Sequence, residues 1–325
     1  MRPRTGCFRE RIAVYGMFEF RPWSIIFILK ADGRLLEWEG TRVLNQEQRA
    51  AQRHIIAELC VAQDFDADQE IVRRAEFLAD YLISTGLRSL VLGISGGVDS
   101  LVGGCLCQLA VGQARRRGHD SRFIAMRLPY GEQADETEAQ ASLDVIKPDE
   151  LLTVNVKPAS DAMMLSLIQA GTRFKDEAQQ DFLLGNIKAR QRMIAQYAVA
   201  GARAGLVVGT DHAAEALMGF FTKFGDGAAD ATPLTGLNKR RVRALARAFG
   251  APDSLVMKTP TADLESLTPL KPDEASFGVT YEQIDDFLEG KDVDPAACDV
   301  IMRTYAQSQH KRALPAYPQA TPLAS

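Results

Sequence analysis

Ser95-Gly96-Gly97-Val98-Asp99-Ser100 places two hydroxyls and one carboxylate around a pair of glycines. Adjacent glycines adopt backbone geometries that a Cβ would block, and they let main-chain N–H groups approach a ligand closely. An apolar run over 90–94 precedes the loop, and a helix-like run over 101–117 follows it. Strand, tight turn and helix in that order put the loop at the positive end of a helix dipole, where phosphate or pyrophosphate is the natural ligand. Asp99 would repel a bare phosphate, so its presence points to a bridging Mg²⁺ with oxygen ligands. A glycine turn of this kind also occurs purely for packing. The Gly-Lys-Ser/Thr ending of a Walker A loop is absent, which disfavours kinase-like and GTPase-like chemistry.

A second group of reactive types follows another apolar run, in Gly209-Thr210-Asp211-His212-Ala213-Ala214-Glu215. Thr210 could cap a helix or reach a ligand. Glu215 would share a helix face with Asp211 and His212, at i+4 and i+3. A carboxylate there and Asp99 across the sheet could hold one Mg²⁺; capping by Thr210 beside a solvated acid is the plainer use of the same residues. Residues 219–230 set glycines, Lys223 and acids between two helices, as either a shaped binding loop or an ordinary surface connection would. Lys239 stands at a helix start, where the dipole disfavours a cation, and this misplacement points to an anionic ligand. For Arg240, Arg241 and Arg243 a wet helical face is the simpler reading.

The elements that must position these groups alternate. Strands are predicted over 90–94, 123–128, 151–156 and 206–209. Helices are predicted over 51–59, 68–84, 101–117, 135–146, 160–170, 182–204 and 213–221, then within 237–249, and over 281–288 and 296–305, with a polar loop over 171–180. This alternation predicts a doubly wound α/β fold, a mostly parallel sheet of five strands with helices on both faces. Ligands of such sheets sit at the carboxyl ends of strands, where both glycine-bearing segments fall. The first 45 residues read differently, with many arginines, Trp23 and Trp38, and no clear helical period. They could be a hairpin, an added lobe, or an upstream start with Met17 as the alternative; we treat 1–45 as an extension of unknown role and 46–325 as the principal domain.

Composition narrows the classes. Of 325 residues, 46% are apolar and 25% charged, as in soluble globular proteins, and the formal net charge of −4 argues against nucleic acid as a partner. No apolar stretch approaches the roughly 20 residues that span a bilayer, so no membrane is expected. The five cysteines form no CxxC pair and the four histidines are scattered, so neither a disulfide framework nor a histidine metal cluster is expected, which fits a cytoplasmic setting.

The first loop resembles the PP-loop of ATP pyrophosphatases. Taken with Arg127-Leu128-Pro129-Tyr130-Gly131, Gly185-Asn186-Ile187-Lys188-Ala189-Arg190, the segments 209–215 and 219–230, and His310-Lys311-Arg312, in that order, the chain resembles ammonia-dependent NAD⁺ synthetases over about residues 46–315. The resemblance implies an adenine nucleotide alpha hydrolase-like, Rossmann-like fold. It implies that ATP, Mg²⁺, ammonia and deamido-NAD⁺ are the reactants and cofactor, that AMP and pyrophosphate are released with NAD⁺, and that the protein is a homodimer with the 182–204 helix in its interface. It implies ATP contacts from Gly93, Ile94, Ser95, Gly96, Gly97, Val98, Asp99, Ser100, Arg127, Thr210, Lys239 and Thr261. It implies deamido-NAD⁺ contacts from Phe182, Asn186, Arg190, Lys223, Asp230, His310 and Lys311. Asp99 and Glu215 would ligate the metal, and Asp99, Lys223 and Lys239 would carry the catalysis. An acid such as Asp211 is a candidate for taking the proton from ammonium.

Three departures accompany the resemblance. Val98 stands where many members have Gln, residues 314–325 replace an aromatic-rich C-terminus, and residues 1–45 have no counterpart in the short type and are too few for a glutaminase domain. The rivals are another PP-loop enzyme, such as a GMP synthetase amination domain or a tRNA-modifying enzyme, and a regulatory module that keeps the fold without turnover. The latter sits poorly with intact Asp99, Glu215, Lys223 and Lys239.

Overall fold

A computed structural model describes residues 26–29, 35–38, 44–131, 136–261, 264–268 and 271–318. The chain divides into two compact units, Met1–Val43 and Leu44–Ser325. In the first, strands β1 (Ile26–Leu29) and β2 (Leu35–Trp38) pair antiparallel, with Ile26 opposite Trp38. Met17, Cys7 and Trp23 lie outside the described residues, as do Asp135 at the expected start of one helix and positions 319–325.

The second unit is built on four parallel strands: β3 (Ser89–Gly93), β4 (Arg122–Arg127), β5 (Glu150–Thr153) and β6 (Gly205–Val207), in the order β5-β4-β3-β6. The central pair is in register at Leu90 with Phe123 and Val91 with Ile124. Both strands are buried on both faces, which is why they read as continuous apolar runs rather than as alternations. One face packs Leu90, Leu92 and Phe123 against Leu78 and Leu82 of helix Ala67–Thr85 and Leu101 and Leu106 of helix Val98–Arg116. The other packs Val91, Ile124 and Val207 around Ala200 of helix Glu177–Ala202. A separate cluster joins helices Gln46–Glu58, Ala213–Met218, Tyr281–Leu288 and Pro295–Gln307 through Ile56, Leu217, Ile284 and Ile301.

The sheet has four strands among the described residues, not the five expected. Beyond β6 the chain makes a single parallel bridge, Val208 with Ala231, in which Gly209 N donates to Ala231 O at 2.8 Å and Asp230 N to Val207 O at 2.8 Å. Pro233, two residues on, has no N–H to extend the ladder. Several helices start earlier than expected, among them Gln46–Glu58 and Lys157–Gln169, and two more bear directly on the site. The Asp176 side chain caps one by accepting from Gln179 N at 2.8 Å, so part of the predicted polar loop is helix. The other starts at Val98, which puts Asp99 in its first turn. None of the described helices is long and apolar enough to cross a membrane.

The turn before helix Lys239–Ala248 depends on one glycine. Gly236 holds φ +81°, and a Cβ there would collide with the carbonyl oxygen of Cys60. Gly236→Ala is therefore expected to lower stability by at least ~1–2 kcal/mol, the penalty of the left-handed conformation alone. Urea unfolding measures it; an unchanged midpoint would show that the turn tolerates a side chain.

Candidate active site

Four segments converge at the carboxyl ends of β3 and β6. The loop after β3 turns at Gly96, whose φ is +86° and whose missing Cβ leaves room for the Ala139 backbone. Ser100 Oγ donates to Gly97 O at 2.9 Å and lies 3.2 Å from Ser95 Oγ, which fixes the hydroxyls to the loop they serve. Gly97 caps the helix without any side-chain hydrogen bond, so the first-turn N–H groups keep the donor capacity that an anion needs. Gly93 N donates to Gln196 Oε1 at 2.9 Å, tying the strand end to the helix on the opposite face. Gly103 lets Thr210 lie close against the same helix that carries Asp99.

The loop opens onto a cleft of about 440 Å³. Ser95, Asp99, Thr210, Glu215, Lys239 and Thr261 all line it, as do Phe182, Asn186 and Lys311. Thr261 is placed by a bridge to Pro272, beside which Asp273 N donates to Pro260 O at 3.1 Å.

At the cleft floor Lys239 Nζ donates to both oxygens of Asp99, at 2.7 and 3.0 Å. The lysine side chain is only 2% exposed. His212 caps helix Ala213–Met218: its Nδ1 accepts from Glu215 N at 3.4 Å, while Glu215 Oε2 accepts from His212 N at 3.4 Å. The His212 Nε2 lies 3.4 Å from Asp99 Oδ1 and 3.4 Å from Lys239 Nζ, so the buried ring sits between the lysine and the two carboxylates. Asp99, His212 and Glu215 thus bring their ligating atoms within 4.8 Å of one another. The sequence groups His212 with Asp211 and Glu215 on one helix face but expects no histidine metal cluster. A visible signal was the His-x-x-Glu spacing, a capping box with an imidazole in place of a hydroxyl.

Charge is unevenly distributed here. Burial raises the Asp99 carboxyl, but Lys239 and His212 outweigh burial and hold it well below the usual carboxylate range. Burial pushes Glu215 up to about 8, with Asp99 adding to the rise and His212 opposing it. Burial also pushes Asp211 up to about 8, reinforced by Asp226 and Asp99. Asp226 is itself raised by burial, although its Oδ1 accepts from Thr222 N at 3.0 Å. Lys239 stays above its ordinary value because Asp99 and Glu215 overcome its desolvation.

The remaining residues predicted for the site lie elsewhere or are engaged. Arg127 is buried in a bidentate pair with Glu136, at 2.9 and 3.0 Å, and does not line the cleft. Lys223 Nζ donates to the carbonyls of His310 and Ala313, and Lys223 O accepts from Arg190 Nη2 at 3.1 Å. Lys311 Nζ donates to Gly219 O and Phe221 O, both at 2.8 Å. Asp230 accepts from Val207 N at 2.8 Å and Tyr197 Oη at 3.4 Å. Lys223, Arg190 and His310 therefore form one group beside the C-terminal segment, apart from the Asp99 cluster.

An uncapped helix behind a glycine turn, with buried acids and a lysine at the strand ends of a parallel sheet, defines an α/β nucleotide-binding protein of the PP-loop kind. The comparisons carry this further. A sequence profile described as NAD synthase matches residues 70–315. The NH(3)-dependent NAD(+) synthetase of Burkholderia ambifaria (strain MC40-6) is 64% identical over 264 residues, 81% of this chain and 94% of that protein. Its namesake from Burkholderia pseudomallei (strain 1106a) is 62% identical over 269 residues, 83% of this chain and 95% of that protein. The crystal structure of NAD+ synthetase from Burkholderia pseudomallei superposes with a TM-score of 0.73 at 60% identity, over 84% of this chain and 99% of that one. The NMN synthetase of Francisella tularensis superposes with a TM-score of 0.69 at 34% identity, over 79% of this chain and 100% of that one. The chain belongs to the NAD synthase family.

The raised carboxyls have a measurable consequence. Between their ordinary values near 4 and about 8, Glu215 and Asp211 keep protons in the folded chain that the unfolded chain has released. Stability of the metal-free, nucleotide-free protein should therefore fall as pH rises through that window. Glu215→Gln keeps an acceptor for His212 N and removes the charge. Its melting temperature is expected to fall less steeply between about pH 5 and 9, ending at least ~2 °C above the wild type. Parallel melting curves for the two proteins would count against the assignment.

Proposed function

We propose that this chain amidates deamido-NAD⁺ with ammonia at the expense of ATP, giving NAD⁺, AMP and pyrophosphate through an adenylated carboxylate, the last step of NAD⁺ biosynthesis. Family membership and the two NH(3)-dependent NAD(+) synthetases at more than 60% identity support the reaction. The observation that carries the site assignment is the Lys239–Asp99 pair, set directly behind the uncapped helix start.

The residues divide the work by position. The first-turn N–H groups of residues 98–100 and the Ser95 and Ser100 hydroxyls donate to phosphate oxygens. Thr210 and Thr261 line the same cleft as further ATP contacts. Lys239 releases part of its hold on Asp99 to neutralise the departing pyrophosphate. Lys223 serves as the second catalytic lysine by exchanging its carbonyl partners for the dinucleotide. Phe182, Asn186, Arg190, Asp230, His310 and Lys311 receive deamido-NAD⁺, and Arg127 supports ATP. Asp99 and Glu215 fit a hard divalent cation: both present carboxylate oxygens to one point, while His212, its Nδ1 occupied, serves to orient them. Mg²⁺ held there would screen the charge of the phosphates. Asp211, whose carboxyl burial raises to about 8, is the candidate acceptor for the ammonium proton only in its ionised form, after it has released its own proton at alkaline pH. No nucleophilic side chain is required, in keeping with the absence of a thiol among the described cleft-lining residues.

We also infer a homodimer. Helices Lys157–Gln169 and Glu177–Ala202 expose Met163, Leu165, Ile168, Phe182 and Ile194, an apolar surface that isologous packing of two copies would cover.

Incubation with ATP, Mg²⁺, deamido-NAD⁺ and NH₄Cl is expected to yield NAD⁺ and AMP in equal amounts. Ammonium-free glutamine should give no more than the blank. ADP and phosphate as stoichiometric products would overturn the reading, and a preference for forming NMN over NAD⁺ would move it toward the NMN synthetase of Francisella tularensis. Asp99→Ala should lower turnover by at least about 10², because a charged group is lost where charge develops, and should lower the melting temperature as well, because Lys239 is left buried without its partner. For the assembly, sedimentation at assay concentration should give a dimer; a fully active monomer is incompatible with it.

A further inference from the structure

One face of helix Tyr281–Leu288 holds Lys239 at both ends. Tyr281 and Asp285 are four residues apart and so project together. Asp285, 3% exposed, accepts from Lys239 N at 3.0 Å and from Arg240 N at 2.7 Å. The Tyr281 ring lies under the same lysine's ammonium, 5.2 Å from its centroid, and the Tyr281 hydroxyl donates to buried Asp273 at 3.0 Å. The neighbouring residues complete the grip. Asn238 Nδ2 donates to Glu289 Oε1 at 2.8 Å, and Arg240 pairs with Glu289 at 2.6 Å and Asp286 at 3.0 Å. Leu237 O accepts from Ala213 N at 2.7 Å, which ties this turn to the helix that carries Glu215.

The arrangement answers a problem that the sequence poses. Lys239 is the first residue of its helix, where the dipole repels a cation. A carboxylate on the two leading N–H groups offsets that field without touching the ammonium. Burial pushes the Asp285 carboxyl up to about 6, against the two N–H bonds and Arg240, so it remains charged at neutral pH. Asn238 already caps the helix by accepting from Arg241 N at 2.9 Å, so helix termination alone does not require Asp285.

We propose that Asp285 is a positioning residue for the amidation, acting through Lys239: by fixing the lysine's backbone and countering the dipole it sets the ammonium over Asp99 and the phosphate site. The proposal rests on the role given to Lys239 above. Asp285→Asn keeps the shape and turns an amide toward N–H donors. It is expected to lower kcat at least about 10-fold while KM for deamido-NAD⁺ stays within about 2-fold, since that ligand is held by other residues. Melting temperature is measured alongside, and Asp285→Ser is read instead should the Asn variant unfold below the assay temperature. An unchanged kcat with a lowered melting temperature, or a loss confined to KM, would overturn the proposal. Lys239→Met separates the two readings. If it is inactive while Asp285→Asn has a normal kcat, the positioning role fails and the role of Lys239 stands; if it turns over at the wild-type rate, both fail.

Discussion

The site is short of positive charge, and much of the surrounding structure follows from that shortage. Asp99, Asp211, Glu215 and Asp226 crowd one end of the sheet, and Lys239 sits directly on Asp99. Removing one partner of such a buried pair leaves the other uncompensated, at a cost of about 3–5 kcal/mol. Asp99 remains ionised because of Lys239 and His212, whereas Glu215 and Asp211 retain protons near neutrality because burial is not matched by a cation. The resting site thus has room for cationic charge, and a divalent ion and an ammonium ion are both species that such a cluster would draw in. The helix start with its free N–H groups carries Asp99 in its own first turn, so anion donors and an acid stand side by side.

Holding this cluster together requires elements far apart in the chain. Asp99 comes from the helix after β3, His212 and Glu215 from the short helix after β6, and Lys239 from a third helix. Backbone bonds and buried side chains join them. Ala213 N donates to Leu237 O, Gln196 secures the end of β3, and the buried Arg74 guanidinium reaches the carbonyls of Pro233 and Thr235 on the approach to Lys239. Segment 264–267 is held in the same manner: Lys188 Nζ donates to Leu264 O at 2.8 Å, and Asp181 accepts from Ser266 N and Leu267 N at 2.9 and 2.8 Å. Side chains that serve backbone groups, Arg74 and Lys188 buried and Gln196 and Asp181 partly exposed, keep the loops of this cleft in place.

Much of this was legible in the sequence because it is local. The apolar runs at 90–94 and 123–128 mark strands buried on both faces, and the glycine pair marks the turn between strand and helix. Lys239 at a helix start was legible as an anomaly, but its resolution was not: Asp285 lies 46 residues later, and no spacing rule connects them. The fifth strand failed for a related reason. Whether residues near Ala231 extend a ladder or make one bridge depends on Pro233 and on the turn that follows, not on the apolar pattern. The capping role of His212 is not legible from its residue type, because a histidine belongs to no familiar capping sequence, although its position relative to Glu215 is that of one.

Helix Ala213–Met218 is six residues long, too short to persist without outside support. Its N-terminus is closed by His212 and Glu215, the same two side chains that border Asp99, and its last turn is held from the other end by Arg312 on Ala216 O. Local architecture and chemistry therefore draw on the same atoms, and the repertoire of tolerated residues at 212 and 215 is the intersection of two alphabets. A replacement at 215 must reach back to the amide of 212, which excludes short side chains, and, under the metal role proposed above, must also be able to carry negative charge, which excludes glutamine. The pair His212 and Glu215 can drift only together, so variation in this enzyme's lineage is expected to be channelled around the turn rather than through it.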